Sequence, residues 1–205
     1  MAKIKAIIFD LDNTLYDERE YYKNAIKEFS RKFALDEDKL VNALYKVFSE
    51  GGDILRNILI SSGYSPDLQE DFFKVYKTVK TLLRIDPEIE KLLLTLRKRF
   101  KLFVLTNGNV EAQRNKVKLL NIEGFFDDIV YAREFSNEKP SCESLNHVLS
   151  KWNLNPEEVL LIGDDEIIDG KLRKCGIWVA VIKEFYKTPE VIWKLIANMK
   201  GERNG

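Results

Sequence analysis

The chain has one histidine in 205 residues, and that scarcity removes much familiar hydrolytic chemistry. Any Ser-His-Asp or Cys-His scheme would have to run through His147. That residue sits in SCESLNHVLSKW, where Leu145, Val148, Leu149 and Trp152 recur at helical spacing, so it reads as a structural residue on a helix face. Cysteine is nearly absent as well. Cys142 and Cys175 are too few for the disulfide framework of a small secreted domain, and with His147 they match no zinc-site spacing. Both read as buried small hydrophobes. Neither sign of charge is in excess, with 33 Lys plus Arg against 33 Asp plus Glu, so bulk attraction to nucleic acid or to an anionic membrane is excluded. Long apolar runs are missing too. The opening MAKIKAIIFDLD reaches an aspartate after a few apolar residues, and no stretch approaches the roughly 18 uncharged residues of a membrane span. The expectation is a cytoplasmic protein with no nucleic-acid and no membrane partner. Glutamine is scarce while 32% of the residues are charged, a balance that leans towards a thermophilic source.

What is present is enough apolar material, 45% of the residues, to bury a sizeable core. Five short β-branched runs stand out: Ile4 to Phe9, Leu102 to Thr106, Ile129 to Ala132, Val159 to Ile162, and Trp178 to Ile182. Each reads as a strand buried on both faces. Between the later runs lie helical patterns such as Ile89-Leu92-Leu93-Leu96 and Val117-Leu120. Alternation of this kind predicts an α/β fold, a doubly wound parallel sheet with helices on both faces. The gap between the first two runs is far longer than one crossover needs. It carries helical patterns at Glu20 to Phe33, Asp38 to Phe48 and Leu68 to Leu83, punctuated by Gly51-Gly52 and Gly63-Tyr64-Ser65-Pro66. An all-helical insertion over residues 16–85 is therefore expected, leaving 1–15 and 86–205 as the α/β core. The closing GERNG reads as a frayed tail.

Ligands of an open parallel sheet bind beyond the carboxyl ends of its strands, so the residues ending each run are the candidates. They are Asp10-Leu11-Asp12-Asn13-Thr14, then Thr106-Asn107-Gly108-Asn109, Glu138-Lys139-Pro140, and Gly163-Asp164-Asp165. Asp10 and Asp12 are two apart and project to one side, with Leu11 turned to the core. Two carboxylates held that close repel unless a cation or a shared proton relieves them. With Asp164 and Asp165 they form an oxygen donor set suited to Mg²⁺. Lys139 adds positive charge, Thr106 a hydroxyl, and the amides of Asn107 and Gly108 can cradle phosphate oxygens. Together these are the parts needed for phosphoryl transfer. Taken singly, each has a plainer reading: D-x-D is usually a solvated turn, Thr-Asn-Gly a cap, and Lys139-Pro140 the opening of a helix. The plain readings must all hold at once, however, at four strand ends in order.

The strings FDLDNTLYD, LTNGN, EKP and LLIGDDEIID resemble the four ordered motifs of the haloacid dehalogenase-like hydrolase superfamily, in its phosphatase branch. The resemblance implies that Asp10 is a nucleophile that becomes phosphorylated and Asp12 a general acid and then base. It likewise makes Thr106 a phosphate ligand and Lys139 the steadying cation. Mg²⁺ would be held by Asp10, the Asp12 carbonyl and Asp164, with Asp169 as the last acidic support. The insertion would be the cap that closes over the site, with Tyr21, Tyr22 and Arg56 the first places to look for substrate contacts, although aromatic residues on a helix more often pack. After Asp169 the chain departs from the family pattern: IIDGKLRKCGIW is one residue shorter and carries Lys171 and Arg173, so Asp165 competes with Asp169 for the metal role. The implied function is Mg²⁺-dependent hydrolysis of a small phosphorylated metabolite, with nucleoside monophosphates, sugar phosphates and phosphoglycolate all open. A sugar phosphomutase shares the same motifs. A 2-haloacid dehalogenase would need neither Asp12 nor the acidic fourth motif. A phospho-aspartate signalling module would carry its aspartate on a middle strand and lack the insertion.

Overall fold

The computed structural model describes residues 3–184 and 187–201, with side chains as far as residue 195. The expected tail lies outside the described residues from 202 onward. The chain divides into two compact units, one formed by Met1–Asp17, Arg84–Val110 and Asn121–Gly205, the other by Glu18–Leu83 and Glu111–Leu120.

The first unit is built on five parallel strands: β1 (Ala6–Phe9), β2 (Lys101–Thr106), β3 (Asp128–Tyr131), β4 (Val159–Gly163) and β5 (Trp178–Val181), in the order β3-β2-β1-β4-β5. The central strands β1 and β4 are buried at every residue, which is why they read as unbroken apolar runs. The edge strands β3 and β5 are only partly covered and their sequences are correspondingly mixed. Alternate residues feed opposite faces. Ala6, Ile8, Phe103, Leu105, Val159 and Leu161 pack with Leu145 and Val148 of α7 (Glu143–Lys151), while Ile7, Phe9, Leu102 and Val104 are buried too. The helix α5 (Pro87–Leu96) buries Ile89, Leu92, Leu93 and Leu96; it starts where Asp86 accepts from the Glu88 N–H and Pro87 takes the first turn. The chain runs outward from β1 through β2 to β3, then returns to β4 beside β1, so the loops after β1 and β4 part at a topological switch point.

The second unit holds α1 (Glu18–Phe33), α2 (Glu37–Val47), α3 (Ile54–Ser61), α4 (Gln69–Thr78) and residues 111–120 of α6 (Val110–Leu120). Two differences from the expected elements have local causes. The segment after Gly51-Gly52 forms α3, because the Asp53 side chain accepts from the Arg56 N–H and caps a turn that buries Leu55, Ile58 and Leu59. The helix expected to reach Leu83 stops at Thr78, where Val79 turns extended at ψ 138 and buries its own side chain. Lys116 of α6 is 1% exposed; its ammonium lies 2.8 Å from Glu18 and over the rings of Tyr21 and Tyr76, at 5.1 and 5.5 Å. Tyr21 is fully buried and donates to the Tyr76 carbonyl at 2.6 Å, and Tyr22 lies against Phe48 and Tyr76, so both tyrosines pack. Arg56 is exposed on α3. No helix among the described residues is long and apolar enough to cross a membrane.

The cysteine expectation is corrected. Cys142 and Cys175 are half-buried and joined in a disulfide, with Cα atoms 5.9 Å apart across a sequence separation of 33. The intervening return of the chain through β4 brings together the start of α7 and the end of the 3₁₀ turn Gly170–Cys175, which spacing along the sequence could not reveal.

The aromatic centre of the second unit is the stacked pair Phe29–Phe72, centroids 4.3 Å apart and both fully buried. Phe72→Ala is predicted to cost about 3–5 kcal/mol, read as a lowered denaturant midpoint of the transition reported by helical circular dichroism; a loss under 1 kcal/mol would contradict this packing.

Candidate active site

Asp10 follows the last residue of β1, and its N–H donates to the Ile162 carbonyl at 2.8 Å, which fixes the residue to β4 as well. The chain then turns tightly. Leu11 is fully buried, Asn13 takes φ 53, a left-handed conformation asparagine tolerates, and the Leu15 N–H closes the turn on the Leu11 carbonyl at 3.0 Å. Asp12 accepts a 2.7 Å hydrogen bond from the Tyr16 hydroxyl. Asp10, Asp12, Asn13, Thr106, Asn107, Lys139, Asp164, Asp165, Ile168 and Asp169 line one cavity of about 200 Å³. Of the residues given a catalytic, phosphate-binding or metal role by the sequence, all but Gly108 are on its wall.

The centre of the cluster is the Lys139 ammonium, 1% exposed, at 2.6 Å from Asp10 and 2.7 Å from Asp169. Burial alone would push this lysine down, but Asp10 and Asp169 together hold it above the ordinary lysine range, so it stays charged. Asp10, Asp164 and Asp169 each present an oxygen within 4.8 Å of the others. Three carboxylates against one ammonium leave two negative charges in a buried space. Burial pushes Asp10 well above the usual carboxylate range; Lys139 opposes this, while Asp169 and Asp12 add to it. Burial and then Asp169 push Asp164 up to about 6. Hard oxygen donors carrying surplus negative charge suit a divalent cation that prefers oxygen.

Asp165 sits differently. Its Oδ1 accepts from the Ile167 and Ile168 N–H groups at 2.6 and 3.0 Å and shapes the turn, and the carboxylate group found among the described residues contains Asp169 instead. Asn107 spends its side chain on the backbone of Lys139, donating to its carbonyl and accepting from its N–H, both at 2.9 Å. The Gly108 N–H, expected to face phosphate, donates to Glu138 at 2.7 Å. Burial works against the Glu138 carboxylate, yet the Gly108 N–H and the Arg133 guanidinium hold it below its usual range. Pro140 does not open a helix; α7 starts at Glu143. His147 is exposed on α7 against Phe135 and lies off the cavity wall.

Three contributors escaped the sequence reading of roles. Tyr16 is buried and orients Asp12, and its signal was its place four residues on, in the same turn. Glu138 stood in the quoted EKP string with no hint that its carboxylate reaches across to Gly108. Gly163 ends β4 where a Cβ would overlap the Asp169 carboxylate, so glycine is what lets Asp169 approach.

Comparison with known proteins gives the family. Residues 7–180 match the model of the haloacid dehalogenase-like hydrolases. The chain belongs to that family and is an enzyme of its phosphatase branch. It is 31% identical over 204 residues to a glyceraldehyde 3-phosphate phosphatase of Methanocaldococcus jannaschii, covering 91% of this chain and 89% of that one. It is 29% identical to a phosphoglycolate phosphatase of Aquifex aeolicus, covering 80% and 77%. Among solved structures, an L-2-haloacid dehalogenase of Xanthobacter autotrophicus shares the fold with a TM-score of 0.61 at 18% identity over 87% of this chain and 77% of that one. A magnesium-bound Bacillus subtilis protein described as a hydrolase of the same class does so with a TM-score of 0.69 at 19% identity, covering 88% and 87%.

Gly163→Ala is predicted to displace Asp169, lowering stability by roughly 1–3 kcal/mol and activity by about tenfold or more. Unchanged turnover in that variant would mean that Asp169 is not held at the site by the space Gly163 leaves.

Proposed function

We propose that this protein is a magnesium-dependent phosphomonoesterase that works through a phosphorylated Asp10. The observation that carries the reading is the buried cluster of three carboxylates around one lysine, two negative charges in surplus, at the carboxyl ends of β1 and β4. Asp10, Asp164 and the backbone at Asp12 would hold the cation, with Asp169 behind them. When bound, Mg²⁺ supplies charge that offsets both the cluster and the phosphoryl oxygens.

The chain's own residues then divide the chemistry. The Asp10 carboxylate attacks phosphorus and displaces the ester oxygen, while Lys139 holds Asp10 in place and balances the transferred charge. Asp12, oriented by Tyr16, gives a proton to the departing alkoxide. As a carboxylate it then takes a proton from the water that attacks the aspartyl-phosphate, releasing inorganic phosphate and restoring Asp10. Thr106 offers its hydroxyl to the phosphoryl group, with the backbone amides of Asn107 and Gly108 as its neighbours at the end of β2; the Gly108 amide would first have to leave Glu138. The helical insertion, which forms one compact unit together with residues 111–120, is the cap in this reading.

The substrate class we infer is a small metabolite phosphorylated on a primary carbon. The relatives named for glyceraldehyde 3-phosphate and phosphoglycolate share that feature, as does the N-acylneuraminate-9-phosphatase of Rattus norvegicus, 25% identical over 87% of this chain and 84% of that one. A panel of such esters assayed for phosphate release with Mg²⁺ should find turnover within this class and no halide from 2-haloacids. Halide without phosphate would overturn the reading.

Asp10→Asn should lower turnover by roughly 10³-fold or more while circular dichroism stays unchanged. Near-normal activity in that variant would remove the covalent route. Asp12→Ala should lose roughly 10²- to 10⁴-fold with an alkyl phosphate. With p-nitrophenyl phosphate, whose leaving group needs no proton, the first step should be spared and phosphoenzyme should accumulate. An equal loss in the rate of the first step on both substrates, read as the burst of released alcohol or p-nitrophenol, would contradict the acid role given to Asp12.

A further inference from the structure

We propose that the Cys142–Cys175 disulfide holds the Lys139 and Asp169 loops against each other, making the two cysteines redox-sensitive positioning residues of the carboxylate cluster. The proposal rests on the reading of that cluster given under Proposed function. Lys139 and Asp169 come from different connections: Lys139 from the turn leading into α7, Asp169 from the turn after β4 that runs into Gly170–Cys175. At the site they meet through the Nζ to Oδ1 contact at 2.7 Å. Cys142 stands three residues beyond Lys139 as the cap of α7, its carbonyl accepting from the Asn146 N–H at 2.7 Å. Cys175 ends the 3₁₀ turn that starts just past Asp169. The disulfide is thus a second, covalent tie between the same two connections.

The two loops need such a tie to different degrees. The Lys139 backbone is also clamped to the β2 end by Asn107. The hydrogen bonds of Asp169's own backbone are local, its N–H to the Asp165 carbonyl at 2.8 Å and its carbonyl from the Leu172 N–H at 3.0 Å. Asp169 is 1% exposed and faces the like charge of Asp164 and Asp10, so its turn carries repulsion that Lys139 offsets at 2.7 Å, with only a long 3.5 Å contact from the Asp165 N–H beside it among the described residues. Cutting the covalent tie should let the Asp169 turn move first, and with it the spacing of the carboxylates that would hold a divalent cation.

A dithiol such as dithiothreitol opens the bond by two exchanges. Its thiolate attacks one sulfur and the other cysteine leaves; its second thiolate then attacks the mixed disulfide and expels the remaining cysteine. Two electrons and two protons end on Cys142 and Cys175 as thiols, and the reductant closes to a cyclic disulfide. Sensitivity of this kind couples the site to the thiol poise of its surroundings.

The test uses the full chain, metal-free, well below its unfolding temperature. Prepared without reductant it should show no titratable thiol after denaturation, and after dithiothreitol it should show both cysteines. Hydrogen exchange read by mass spectrometry should then quicken about fivefold or more in the reduced form over residues 136–142 and 164–175, and stay unchanged over α4, the pattern of a local opening. Calorimetry with Mg²⁺ should give a dissociation constant about five- to tenfold weaker for the reduced form, a shift that a bond stabilising only the global fold would not produce. The Cys142→Ser, Cys175→Ser double variant should match the reduced form and ignore dithiothreitol. Free thiols in the unreduced protein, or equal exchange in both forms, would overturn the proposal. Faster local exchange with no Mg²⁺ binding in either form would leave the brace standing and sink the metal reading instead.

Discussion

The buried Lys139 ammonium organises the carboxylate cluster. Lys139 is enclosed between Asp10 and Asp169, and neither carboxylate is tenable at that depth without it. Removing one partner of such a pair strands a charge in the interior, at a typical cost of about 3–5 kcal/mol. The surroundings are consistent with that constraint. Asn107 clamps the lysine's backbone from the end of β2, Gly163 vacates the space Asp169 needs, and the Asp10 N–H is tied to β4. Strand order supplies the rest, since β1 and β4 are neighbours with diverging loops and their carboxylates open into a common cavity.

The same ammonium explains why the cluster is electrostatically unfinished. One positive charge serves three carboxylates, and Asp10 and Asp164 are raised by burial first and by the like charge of Asp169 after it. A cation or a proton would relieve that surplus. The signs are consistent: both carboxyls are raised, so each favours its protonated form on acidification and becomes an anion only as the pH climbs.

Much of this was legible before any coordinates. Central strands buried on both faces announce themselves as unbroken apolar runs, so Ala6–Phe9 and Val159–Gly163 were readable, and Asp10 and Asp164, which follow those runs, line the candidate site. What escaped depends on contacts distant in sequence. Glu138 reaching Gly108, the Cys142–Cys175 bond and the Asn107 clamp join segments about 30 residues apart, and no local pattern encodes them. The helix α3 was hidden between glycines whose positive φ angles, 77 at Gly52 and 78 at Gly63, mark only its boundaries. The uneven fourth motif has a physical answer as well. The shortened stretch after Asp169 winds as a 3₁₀ turn, with Arg173 paired to Glu166, and still delivers Asp169 to Lys139. Asp165, which competed for that place, has its Oδ1 occupied by the N–H groups of Ile167 and Ile168.

The claim that the cluster awaits a divalent cation is tested most directly by the protons such a cation must expel. Magnesium titrated into metal-free protein by calorimetry, in two buffers of different ionisation heat, reports the number released. With Asp164 pushed up to about 6, roughly half a proton or more should leave per ion at pH 6, and fewer at pH 8. Binding at pH 6 with no proton release, or no binding at either pH, would contradict the account.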